Sequence, residues 1–182
     1  MDFPVIITSD NIALELVLDV RPELFPRAQV VFCGFNGPPE DVIRGRENIT
    51  GVTETWDPAG TLKAIDRLQP EVEEIVVLHD YTESGLGTRK NLDAVRPAFE
   101  KRFRFRILPE EPVENVLKEL AVLPDSSAVL LMGYNVDSRG KLFDAAATGP
   151  LFARHARVPV YTMDETRLGG GVVGGSLLSG ER

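Results

Sequence analysis

The sequence predicts an α/β fold whose larger part is a doubly wound parallel sheet. Three apolar runs, Ile75-Val76-Val77-Leu78, residues 103–108 and Ala128-Val129-Leu130-Leu131-Met132, alternate with amphipathic helical patterns. Two of the runs are almost unbroken, which suits parallel strands covered by helices on both faces. Those two end in polar pairs, His79-Asp80 and Tyr134-Asn135. In an open α/β sheet, ligands bind just beyond the carboxyl ends of the strands. Polar residues at those ends, with no metal cluster and no nucleophile set, point to a binder ahead of an enzyme.

Each element follows from local pattern. Residues 3–8 read as a buried strand, and Ser9-Asp10-Asn11 supplies capping residues for a helix over 12–20. Pro22 and Pro26 bracket a turn. Val30-Val31-Phe32-Cys33 is a second strand, and Cys33 is expected to be a buried structural residue. Residues 35–48 read as a loop centred on Pro38-Pro39, and 49–54 as a short β-branched strand. Asp57-Pro58 opens a helix to Leu68, with Asp as cap and Pro at the first helical position. A long helical pattern covers 84–102, and Pro97 inside it predicts a kink or an earlier break. In 103–108, Phe103, Phe105 and Ile107 alternate with arginines, the pattern of a strand near the sheet edge. A helix over 112–123, a strand over 128–132, part of a helix over 151–155 and a strand over 158–163 complete the series.

The order is β-α-β-loop-β, then four αβ units. Residues 56–163 suffice for a doubly wound, flavodoxin-like lobe. Residues 1–55 resemble the closing part of a similar lobe, and 164–182 are a glycine-rich crossover.

Composition narrows the function. The chain has 182 residues, 43% of them apolar, enough for one large domain or two small lobes. Its 28 acids against 20 bases give a net charge of −8. That balance opposes nucleic-acid binding and docking on an anionic membrane. The single Cys33 excludes an intrachain disulfide, and no run of about 18 apolar residues spans a membrane.

Several motifs have plainer readings. Gly169-Gly170-Gly171-Val172-Val173-Gly174 fits G-x-G-x-x-G, but only residues 175–182 follow it. A dinucleotide site needs a helix, a second strand and an acid about 20 residues on. His79-Asp80 offers too few ligands for a catalytic metal, and His155 has no carboxylate at ligand spacing. No cofactor is expected. Asp80-Tyr81-Thr82-Glu83-Ser84-Gly85 joins a strand end to a helix start, where Thr82 and Ser84 either cap the helix or meet a polar ligand. Asn135, Asp164 and Glu165 close later strands, as Asp10 and Asn36 close the first two. The two acids Asp164 and Glu165 are adjacent and point apart, so a shared catalytic task is disfavoured.

Residues 5–11 (VIITSDN), 22–36 (PELFPRAQVVFCGFN), 48–54 (NITGVTE), Gly60-Thr61-Leu62 and 159–181 (PVYTMDETRLGGGVVGGSLLSGE) resemble extracytoplasmic substrate-binding proteins of the ABC-transporter type. They are more closely similar to the related sensor modules of bacterial histidine kinases and diguanylate cyclases. The resemblance implies a type I periplasmic-binding-protein fold, two α/β lobes hinged around a ligand cleft. It implies that the chain is an excised piece lacking the opening β-α-β-α of its first lobe. By strand-end position it assigns ligand contacts to Asp10, Asn36, Asp80, Thr82, Ser84, Asn135 and Asp164 or Glu165.

The expected function is therefore that of a ligand-sensing domain in a membrane-anchored signalling protein. It would lie in the periplasm, take a small polar molecule and perform no chemistry on it. The acids hint at an amine or a hydroxyl-rich ligand. Membrane contact would come only through segments outside this chain, and a homodimer is the candidate assembly. The alternative is the binding component of an ABC importer. A third reading is a flavodoxin-like cytosolic enzyme or a receiver domain, with Asp80 as the strand-end acid; Asp10 is then the one candidate for the supporting acid pair.

Overall fold

A computed structural model of the chain describes residues 3–36, 40–54 and 56–178. They form two compact units, Met1–Thr55 and Trp56–Arg182.

The first unit contains β1 (Val5–Ser9), α1 (Asn11–Leu24), β2 (Gln29–Asn36), α2 (Glu40–Ile43) and β3 (Ile49–Glu54). Its strands lie in the order β1-β2-β3, all parallel. The alternation of β2 turns Val30 and Phe32 toward Leu14 of α1, and Phe35 and Val42 complete that core. The same alternation sends Cys33 the other way. Cys33 is exposed, which corrects the buried structural role expected of it. Val5 and Ile7 on β1 and Val52 on β3 are also exposed, Ile7 by 74%.

Two local expectations change here. Helix α1 continues through Pro22 to Leu24 instead of turning at that proline. Pro22 lies in the last turn, so the missing N–H forfeits only the bond to the Leu18 carbonyl. The Phe25 amide closes the helix on the Arg21 carbonyl at 2.9 Å. The expected loop over 35–48 is interrupted by α2, whose Val42 is buried. Pro38-Pro39 lies outside the described residues.

The second unit contains α3 (Pro58–Leu68), β4 (Glu74–Leu78), α4 (Glu83–Val95), β5 (Arg104–Ile107), α5 (Val113–Leu120), β6 (Ser127–Leu131), α6 (Ala145–His155) and β7 (Val160–Thr162). The sheet order is β5-β4-β6-β7, again all parallel. The alternating strand β5 is an edge, as its arginines predict. The central strands β4 and β6 are buried on both faces. Ile75, Val77, Ala128 and Leu130 pack with Leu62 and Ile65 of α3 and Leu92 of α4. Val76, Leu78, Val129 and Leu131 pack on the other face with Val116 and Leu120 of α5 and Phe152 of α6. Helices thus cover both faces, the doubly wound arrangement that unbroken apolar strands require.

Capping follows the sequence. Asp57 accepts the Gly60 amide at 2.8 Å, with Pro58 in the first turn. Helix α4 ends before Pro97, and one 3₁₀ turn, Arg96–Ala98, follows. Helix α6 begins well before the expected 151–155, at Ala145, because Asp144 caps it by accepting the Ala146 amide at 2.9 Å. Thr148, Gly149 and Pro150 hide that start, being poor helix formers. The glycine-rich segment lies alongside β7. Thr162 donates to the Gly174 carbonyl at 3.0 Å and Leu178 to the Met163 carbonyl at 2.7 Å.

Candidate functional site

Parallel strands bring all their carboxyl ends to one edge of a sheet. In the second unit, β4 and β6 are neighbours whose connections leave in opposite directions, to β5 on one side and β7 on the other. This is the topological switch point, the place at which open α/β sheets generally bind their ligands. Asp80 follows β4 and Asn135 follows β6, so the sequence itself delivers both residues to the switch.

Asp80 is buried, and its two carboxylate oxygens are divided between the two loops. Oδ2 accepts the Asn135 amide at 2.7 Å. Oδ1 accepts the Thr82 hydroxyl at 2.5 Å and the Thr82 amide at 3.2 Å. The Thr82 hydroxyl in turn accepts the Gly85 amide at 3.1 Å and caps α4. Gly85 must lack a side chain, because a Cβ there would strike the Asp80 carbonyl and carboxylate. Ser84 sits half-buried in the first turn of α4.

Across the switch, Asn135 turns its side-chain oxygen to Arg167 Nη2 at 3.0 Å. Arg167 is buried at the carboxyl edge and gathers the loops after β6 and β7. It donates to the Tyr134 carbonyl at 3.3 Å, the Ala145 carbonyl at 3.4 Å and the Thr148 hydroxyl. Its Nε lies 3.2 Å from the Asp164 carboxylate. Burial pulls the Arg167 guanidinium below its ordinary value, and the Asp164 and Asp80 carboxylates oppose that shift. Asp164 also caps the 3₁₀ turn Glu165–Arg167 through the Thr166 amide at 2.9 Å. Glu165 opens that turn and is half-buried.

A chain of contacts thus runs Thr82–Asp80–Asn135–Arg167–Asp164. It joins three strand ends and four of the residues expected to contact a ligand. Most of its polar atoms face one another. The exception is Asn135, which is exposed. Its oxygen is fixed by Arg167, so its amide nitrogen points elsewhere and has no partner among the described residues.

His79 and Tyr134 flank this chain. The His79 Nδ1 lies 2.5 Å from the Asp80 carbonyl, and Nε2 lies 3.3 Å from Arg89 Nη1. A ring that donates at Nδ1 and accepts at Nε2 is neutral. Burial holds it below its ordinary value of 6.5; the Asp80 carbonyl opposes and Arg89 reinforces that shift. Tyr134 packs edge-on to Phe152 at 5.0 Å, and its buried hydroxyl has no hydrogen-bond partner among the described residues. Burial pushes that phenol up. Asp137, two residues after Asn135, has a structural role. Burial acts to raise its carboxyl, but the amides of Val113, Lys141 and Arg139 prevail and lower it.

In the first unit, Asp10 and Asn36 also close neighbouring strands. Asp10 caps α1 through the Asn11 amide at 2.6 Å, with φ 75° and ψ 163°. That backbone region is nearly reserved for glycine, and such residues collect at ligand sites. Asn36 and Asn11 are locked reciprocally, at 2.8 Å and 3.0 Å. Gly34, with φ 66°, lies between Ser9 and Glu54, each 3.8 Å from the Cβ it lacks.

Sequence reasoning missed Arg167. The signal for Arg167 was present as an acid three residues before an arginine, Asp164 to Arg167, directly after a strand. Among the described residues, no group of three or more His, Cys, Asp or Glu side chains is placed to hold a metal ion.

No family model matches the chain, and no curated protein matches it. Among solved structures, it is similar to the ligand-free, open structure of CD0873, a substrate-binding protein with adhesive properties from Clostridium difficile. The TM-score is 0.58 at 13% identity, covering 93% of this chain and 56% of that one. The chain therefore shares a substrate-binding-protein-like α/β fold and spans little more than half the length of that structure.

Proposed function

We propose that the chain is a ligand-binding domain that takes a small polar molecule at the carboxyl edge of its second unit and performs no chemistry on it. The observation that carries this reading is the Asp80–Asn135–Arg167–Asp164 chain across the topological switch point. It fixes the Asn135 amide while leaving its donor nitrogen available. A rigid donor held by buried charges is the kind of preorganised contact that gives a binding site orientation and specificity. The likeness to a substrate-binding protein supports the same reading.

In the intact protein, the domain serves as the extracytoplasmic sensor of a membrane-anchored bacterial signalling protein, such as a histidine kinase or diguanylate cyclase. The resemblance of the NITGVTE and GGGVVGGSLLSGE segments to such type I modules supports this role. A second reading is the binding component of an ABC importer, favoured by the substrate-binding role of CD0873. A transmembrane span and kinase or cyclase encoded in the same polypeptide separates the first from the second.

The test is a thermal-shift screen of amino acids, sugars and purines. A compound that binds only the folded state raises the melting temperature by mass action. Asn135→Asp keeps the acceptor for Arg167 but removes both donors. It is expected to abolish the shift without unfolding the protein. An unchanged shift in this variant would overturn the assignment.

A further inference from the structure

The first unit carries a concavity at the edge of its sheet opposite Asp10 and Asn36. Its lining comes from the last turn of α1, the turn before β2 and the segment entering β3, so it lies at the amino ends of these strands. The volume is about 450 Å³. Leu18, Pro22 and Pro26 supply an apolar wall, and Arg21, Arg46 and Glu47 supply the charged groups.

Each of the two arginines is held through one nitrogen. Arg21 Nη1 donates to the Glu47 backbone carbonyl at 3.0 Å. Arg46 Nη1 donates to the Val42 backbone carbonyl at 2.6 Å. Each guanidinium is therefore anchored by one corner on a neutral acceptor. Among the described residues neither forms an ion pair, the Glu47 carboxylate included. The remaining N–H groups, Nε and Nη2, are the pair that grips two oxygens of one anion. Anchoring removes part of the rotamer entropy that a flexible arginine loses on binding. The chain as a whole carries net charge −8, so a concavity lined by two arginines and one glutamate, with neither arginine ion-paired among the described residues, stands out against the general field.

We propose that this concavity binds a small organic oxyanion, a carboxylate or phosphate carried on an apolar body, with Arg21 and Arg46 gripping the charged end and Leu18, Pro22 and Pro26 packing the rest. The site is separate from the carboxyl-edge site of the second unit and does not depend on it.

The test is an NMR titration of the arginine Nε–Hε resonances of the full chain. The probes are phenyl phosphate and benzoate, with sodium chloride at matched ionic strength as reference. Saturable shifts of Arg21 and Arg46 with either probe are expected, and the probe that binds more tightly identifies the head group. Arg21→Gln and Arg46→Gln should each weaken binding about tenfold, the loss of one charge-assisted pair of hydrogen bonds. Shifts that never saturate, or that sodium chloride reproduces, would overturn the proposal. So would undiminished affinity in a folded Arg21→Gln/Arg46→Gln protein. The wild-type titration decides the matter even where a variant fails to fold.

Discussion

Arg167 is the residue on which the carboxyl edge of the second unit depends. It is buried, paired with Asp164 and bonded to Asn135, Thr148 and two backbone carbonyls. Removing one partner of a buried pair leaves the other charge uncompensated, at about 3–5 kcal/mol. Arg167→Ala is therefore expected to lower the urea-unfolding free energy by about 3 kcal/mol, near the low end because Asp164 is partly exposed. A loss below about 1 kcal/mol, the size of a surface pair, would contradict this role. His79 gives a pH signature. Its folded-state value lies below 6.5, because burial disfavours the charged ring. The unfolded chain therefore takes up a proton that the folded chain refuses. The stability from neutral His79 is present in full above pH 6.5 and is lost as the pH falls through that value toward the folded one. Chemical denaturation across this window should show the decline in the wild type and a flatter curve in His79→Gln; parallel curves would refute it. At this scale the sequence was informative where an apolar run ended in a polar residue. Asp80, Asn135 and Asp164 were legible for that reason. Arg167 was not, because an arginine in a loop reads as a solvated charge until the tertiary fold closes around it.

Helix and strand boundaries show which local signals prevail. Asp57-Pro58 and Pro97 acted as their chemistry dictates, one opening a helix and the other ending one. Pro22 did not end α1, since a proline in the last turn forfeits a single bond. The start of α6 was hidden by Thr148-Gly149-Pro150, and Gly149 is there for packing, since a Cβ would strike the Arg167 carbonyl. The glycine-rich segment makes a related point. Gly175 passes so close to the Thr162 carbonyl that a side chain has no room, and Ser176 is tied to Asp57 at 2.8 Å and Thr61 at 3.0 Å. Gly175→Ala is expected to cost about 1–3 kcal/mol by forcing the backbone away from β7. Hydrogen exchange should then accelerate at the Thr162 and Leu178 amides, which bond across this contact. Protection equal to the wild type would show that the segment is not seated by this close approach.

At the scale of the molecule, the α/β class and the parallel sheets were legible because β4 and β6 are almost wholly apolar, the signature of strands covered on both faces. The order β5-β4-β6-β7 was not, since periodicity gives elements and not neighbours. That order sets Asp80 and Asn135 beside each other at the switch point, where the proposed ligand site lies. The first unit supplies a second carboxyl edge with a strained Asp10 and, at its amino edge, the arginine-lined concavity. On the proposed function, a small polar molecule is held at the carboxyl edge of the second unit. Amide and side-chain chemical-shift mapping with a compound that raises the melting temperature tests it most directly. The largest saturable shifts are expected at Thr82, Asn135 and Asp164, with the Asn135 side-chain amide foremost. Saturable shifts confined to other surfaces, with the Asn135 amide unmoved, would contradict it.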